Sequence, residues 1–246
     1  PPVSMVSWRD GGDVVSSIAA GLPAALADVF ARGPGIAHWL PNAAMQIAWR
    51  APTPALVASA ATLVAPIVRA AATCGDPIDD PFAGFDPSHP LALITGGTLV
   101  TEIVGSAGGI AMVLEVRDVS AIWAALKQLG PIGTFPKPGE IRTVALMPGH
   151  DLNLIASPRE VAVSLGAIDG PRLRQLMTSG GRAEPLAVHF DGEALRALQR
   201  GEVTFLGQVV GGGEPDEALL MPFDLTLVDG VVIARYRSPL TGAAAP

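Results

Sequence analysis

The chain of 246 residues carries a formal net charge of −7, with 49% hydrophobic and only 16% charged residues. That composition excludes an intrinsically disordered chain. The acidic balance excludes the basic footprint that nucleic-acid binding needs, and the single cysteine, Cys74, excludes an intrachain disulfide.

Twenty-eight glycines and 23 prolines are spread without a period, which predicts many short elements joined by tight turns. Arginine dominates lysine, the codon bias of a GC-rich bacterial genome and not a functional signal. The arginines between Arg172 and Arg200 are interrupted by Glu184, Asp191 and Glu193, and read as a solvated helix face.

In chain order, residues 1–75 are rich in alanine and poor in charge, and the expectation is a helical subdomain. Val15, Ile18, Leu22, Leu26 and Val29 recur at helical spacing over 13–20 and 23–32, with Gly33-Pro34-Gly35 as the stop. Met45, Ile47 and Trp49 alternate with polar or small residues and fit a short strand or a helical turn equally. Thr53-Pro54 suits a helix start, running to about Thr73 with a kink near Pro66. Ala51 to Val68 is uncharged, but its alanines and prolines favour a buried helix over a membrane span.

Residues 76–90 form a Pro/Asp-rich connector. Beyond it, 91–246 reads as an α+β domain, or as one unit with 1–75. Strands are expected at 91–95, 98–104, 110–116, 142–147, 151–156, 161–165, 186–190 and 203–210. Helices should follow Asp118, Pro171 and Asp191. Asp118, Asp169 and Asp191 hold equivalent cap-like places in a loose strand-Asp-helix-Gly repeat. Asp229-Gly230 between two apolar runs signals a hairpin spanning 223–237. The fold class expected is therefore α+β, an Ala-rich helical N-terminal third followed by a mostly antiparallel sheet with packed helices.

Motifs for chemistry are weak. Gly105–Gly109 precedes a strand and has valine two residues before Ser106, so it fits a hairpin turn and neither a nucleophile elbow nor a phosphate loop. Gly211–Gly213 is followed by acids that repel phosphate. The four histidines form no i, i+4 pair, and the aspartates of 76–86 lack calcium-loop spacing, so no metal and no cofactor are expected. Cys74 at a helix C-terminus reads as structural. The best polar constellation is His150-Asp151 with His189-x-Asp191, which could supply a His–carboxylate pair for a hydrolase-like reaction.

The leading expectation is a non-enzymatic accessory or interaction protein. Seven charges in the first 75 residues cannot cover several helices, so an apolar groove or patch is expected around Val15, Leu22, Leu26, Trp39, Trp49, Leu56 and Leu63. It would dock a partner protein or a second copy. A hydrolase-like enzyme and a carrier of an apolar small molecule are the alternatives. A cytoplasmic setting suits the lone cysteine. The chain opens on Pro1-Pro2 without methionine, so upstream targeting lies beyond this reading.

Overall fold

A computed structural model describes residues 3–21, 35–41, 43–50, 93–127, 134, 136–147, 150–183, 185–205, 208–210, 223–228 and 230–239. The N-terminal strands are β1 (Val3–Asp10), β2 (Asp13–Gly21), β3 (Gly35–Ala37) and β4 (Met45–Arg50). A long hairpin follows, β5 (Ile94–Val104) and β6 (Ala107–Val116), then helix α1 (Val119–Leu126). Next come β7 (Ile141–Met147), β8 (His150–Ala156), β9 (Glu160–Gly166) and helix α2 (Gly170–Thr178). The remainder is β10 (Gly181–Ala183), β11 (Leu186–Phe190), helix α3 (Gly192–Gln199), β12 (Val203–Phe205), β13 (Gln208–Val210), β14 (Phe223–Val228) and β15 (Val231–Pro239).

Among the described residues thirteen strands form one sheet, eleven of them along the path β1-β2-β15-β14-β11-β4-β5-β6-β9-β8-β7. Every pairing along that path is antiparallel. β12 and β13 pair beside it, and β3 pairs with β10 as a separate ribbon. Strands from both sides of residues 76–90 interleave in the sheet: β2 lies between β1 and β15, and β4 between β11 and β5.

The fold is thus a mostly antiparallel sheet with three short helices among the described residues, and the expected α+β class with a helical N-terminal third is overturned. Residues 13–20, expected as helix, are strand β2. Two physical features misled the reading. Val15 and Ile18 fit a helical stripe, and β2 is partly covered on both faces, so its apolar residues do not alternate with polar ones. The pairing that decides the matter joins β2 to β15, more than 200 residues away. Residues 45–50, undecided between strand and turn, are β4, held between β11 and β5. The helices expected at 23–32 and 54–73, the 76–90 connector and Cys74 lie outside the described residues.

Directly opposed residues share a face, so the registers can be read straight across the sheet. One row runs Val6, Ser17, Arg235, Asp224, His189, Gln46, Val100, Ala111 and Ser164. On the opposite face an apolar row runs Met5, Ile18, Ala234, Leu225, Val188, Ile47, Leu99, Met112, Val163 and Leu154. Helix α2 packs on the first face, where Leu173 and Leu176 join Val100, Ala111, Val113, Ala162 and Ile155 in the main core. Helix α1 packs on the second, with Trp123 against Leu154 and Ile122 in a cluster with Ala156 and Val161.

All three aspartate caps read from the sequence are present. Asp118, Asp169 and Asp191 accept from the backbone N–H groups of Ala121, Arg172 and Ala194 at 3.0, 2.9 and 2.9 Å. The expected strand over 203–210 is two short strands. Gly96-Gly97, expected to separate two strands, lies inside β5. There the Trp49 ring covers Gly97 so closely that a Cβ would meet Cζ2 at 2.7 Å.

The β14–β15 hairpin has the expected two-residue connection, with Val228 paired to Val231 and Gly230 at φ +75°. A β-branched residue is strained in that left-handed region. Gly230→Val should cost about 1–2 kcal/mol and lower the melting temperature by a few degrees. A calorimetric scan checks this, and an unchanged melting temperature would remove the turn's demand for glycine.

Candidate functional site

The main path of the sheet ends in two very different edges. At β7 the open side is managed. Its pairing with β8 is broken by a register shift between Ala145 and Met147, and Arg142 donates from Nη1 to the Thr134 carbonyl and hydroxyl at 2.8 Å. Bulges and charged edge residues of this kind discourage edge-to-edge pairing.

At β1 no such device operates. The strand VSMVSWRD is exposed at all eight positions, and residues 3–8 are uncharged, without proline or bulge. Val3, Met5, Val6 and Trp8 are 67, 60, 62 and 44% exposed. Among the described residues β1 pairs with β2 alone, so its outer backbone N–H and C=O groups form an open row there.

Local chemistry holds this strand in place. Gly11 at φ +64° supplies the tight turn of the β1–β2 hairpin, where Asp10 pairs with Asp13. Arg237 of β15 bridges the two carboxylates, at 2.8 Å to Asp10 and 3.3 Å to Asp13. The hydrogen bond to Asp13, helped by the charge of Asp10, raises the guanidinium pKa further above its ordinary value. Ser7 Oγ and Ser16 Oγ lie 2.8 Å apart, joining the strands on the face that also carries Met5.

Three of the residues expected to form an apolar patch are among the described residues, and Val15 pairs with Trp8 of β1. Val15 is buried. Trp39 is half-buried against Ala37, Ala48 and Ala187. Trp49 is half-buried over Gly97. Leu22, Leu26, Leu56 and Leu63 lie outside the described residues.

The His/Asp candidates do not assemble as expected. Asp191 is committed to capping α3, while His189 Nδ1 meets Asp224 Oδ1 at 2.6 Å across β11 and β14. That pair is open to solvent, with side chains 40 and 57% exposed. Its row neighbours are Gln46, bonded to the Leu40 backbone, and Arg235, neither of them a nucleophile. His150 opens β8 opposite Met147, and Asp151 is exposed opposite Ala145.

Two buried polar arrangements escaped the sequence reading. His38 Nδ1 faces the Leu176 carbonyl at 3.0 Å and therefore donates to it, while Nε2 contacts Glu160 Oε1 at 2.6 Å. Arg172 donates from Nε to Glu102 Oε2 at 2.9 Å and from Nη2 to Oε1. The Glu102 hydrogen bond raises the pKa of this guanidinium. Partners 122 and 70 residues apart leave no signal in spacing. Among the described residues, no group of three His, Cys, Asp or Glu side chains could hold a metal ion, and no helix is long and apolar enough to cross a membrane.

No family model matches the chain, and no curated protein matches it. Among solved structures, it is similar to crystal form IV of TP0453, with a TM-score of 0.43 and 12% identity over 82% of this chain and 75% of that one. Crystal form III of TP0453 gives a TM-score of 0.41 and 11% identity over 90 and 81%.

Proposed function

We propose that this chain is a non-enzymatic docking module that receives an extended strand of a partner protein along the open edge of β1. One observation carries the reading: an eight-residue edge strand, apolar at Val3, Met5, Val6 and Trp8, is exposed on both faces and unprotected. Strand addition draws affinity from backbone hydrogen bonds, and specificity from alternating side chains. The guarded β7 edge supports the reading, because among the described strands of the main path it leaves β1 as the unguarded end. A net charge of −7 suits a protein partner and not a nucleic acid.

Capture experiments with the purified chain as bait test this reading. Wild type is compared with Met5→Lys/Val6→Lys, which charges the edge without touching the core. Partners retained by wild type should be lost at least tenfold by the variant, at an unchanged melting temperature. Equal recovery by both baits would overturn the edge as the docking site.

A further inference from the structure

Resting on the reading of β1 as a docking edge, we infer that the strand it receives is β1 of a second copy, paired antiparallel about a two-fold axis at Ser7. The hairpin geometry fixes which groups are available. The Gly11-Gly12 turn makes Asp10 and Asp13 the hydrogen-bonded pair that closes it. Counting back by twos, Trp8, Val6 and Ser4 turn their backbone groups toward β2. Val3, Met5, Ser7 and Arg9 turn theirs to the open edge.

A two-fold pair sets odd residues against odd and even against even, and keeps each face continuous. Centred on Ser7, it sets Val6 against Trp8 of the second copy, Ser4 against Asp10 and Met5 against Arg9, each twice. The Val–Trp pairs fall at non-hydrogen-bonded positions, where side chains approach most closely, and aromatic–β-branched pairs stabilise sheets there. Ser7 meets its own equivalent. Its hydroxyl already contacts Ser16, and a hydroxyl both donates and accepts, so four serines form one hydrogen-bonded chain across the interface.

Charge permits this arrangement, and apolar matching selects it. The strand holds one base and one acid in a chain of net charge −7, so two copies approach along a locally neutral strip. No like charges meet, and each Asp10 carboxylate faces a serine hydroxyl donor. Shifting the centre to Trp8 would put Val6 against Asp10. Shifting it to Val6 would put Trp8 against Ser4. Both break the match of apolar with apolar.

Sedimentation of wild type, Val6→Glu, Trp8→Lys and an equimolar mixture of the two variants tests the pairing. Wild type should show a concentration-dependent dimer, and each variant alone should bind itself at least tenfold more weakly, with an unchanged circular dichroism melt. The mixture should recover the dimer, because the introduced carboxylate then faces the introduced ammonium. A wild type that stays monomeric, variants that self-associate like wild type, or a mixture that stays monomeric would each overturn the inference. A monomeric wild type that still captures an edge-dependent partner overturns the second copy alone. A monomer that captures none overturns the docking edge as well.

Discussion

Arg172→Ala is expected to destabilise the protein by about 3–5 kcal/mol, the cost of leaving a buried carboxylate without its cation. The carboxylate is Glu102 on β5, whose side chain is only 7% exposed, beneath the N-terminal half of α2. Arg172 satisfies both of its oxygens, and also donates to the Pro41 carbonyl at 3.2 Å and to Gln175 Oε1 at 2.6 Å. One guanidinium thus ties α2, β5 and the segment before β4. Arg172→Lys keeps the charge but not the planar fork, so it should recover only part of the loss. In urea titrations the double variant Arg172→Ala/Glu102→Gln should be more stable than Arg172→Ala alone, because the orphaned charge is gone. A loss below about 1 kcal/mol for Arg172→Ala would mean that the pair does not hold α2 to the sheet.

Gly109→Ala should cost about 3 kcal/mol, at the upper end of the range for overpacking, because the neighbours that a methyl would meet are backbone. A Cβ at Gly109 would lie 2.5 Å from the Ile168 nitrogen and 2.8 Å from that of Ala167. The 167–168 segment crosses the sheet here before Asp169 caps α2, and Ala167 N–H donates to the Gly108 carbonyl at 3.1 Å. Displacing it would lift the helix that brings Arg172 to Glu102. The two substitutions should therefore combine less than additively. Gly12→Ala, where a Cβ meets nothing within 4 Å, is the control and should leave the unfolding midpoint nearly unchanged. A Gly109→Ala variant as stable as that control would show that the crossing relaxes freely.

How far the sequence revealed this molecule depends on the distance between partners. The Asp118, Asp169 and Asp191 caps were legible because each acts on a backbone group three residues ahead. So was the 223–239 hairpin, whose strands meet across Asp229-Gly230. Residues 3–21 were not, even though Gly11-Gly12 is a hairpin signal. Val15 and Ile18 matched a helix equally well, and the competing claim of β15 lies at the far end of the chain. The open edge of β1 was not legible for the same reason: its place at the end of the path follows from an order that alternates strands from both ends of the chain. His189 was legible as a polar strand residue, but its partner was not. Asp191 lay two residues away and was already needed as a cap, while Asp224 is set opposite His189 by sheet register alone.

The placement of β2 beside β15 also sets an order of events during synthesis. At about 5–20 residues per second, the ribosome needs on the order of ten to forty seconds to deliver β15 after β2 has emerged. Through that interval the β1–β2 hairpin has no sheet to join, and a lone two-stranded hairpin is marginal in water. Until then the β2 edge that β15 takes is open as well as the β1 edge. Completion of the sheet beside β2 therefore waits for β15, and pairings so far apart in sequence form slowly.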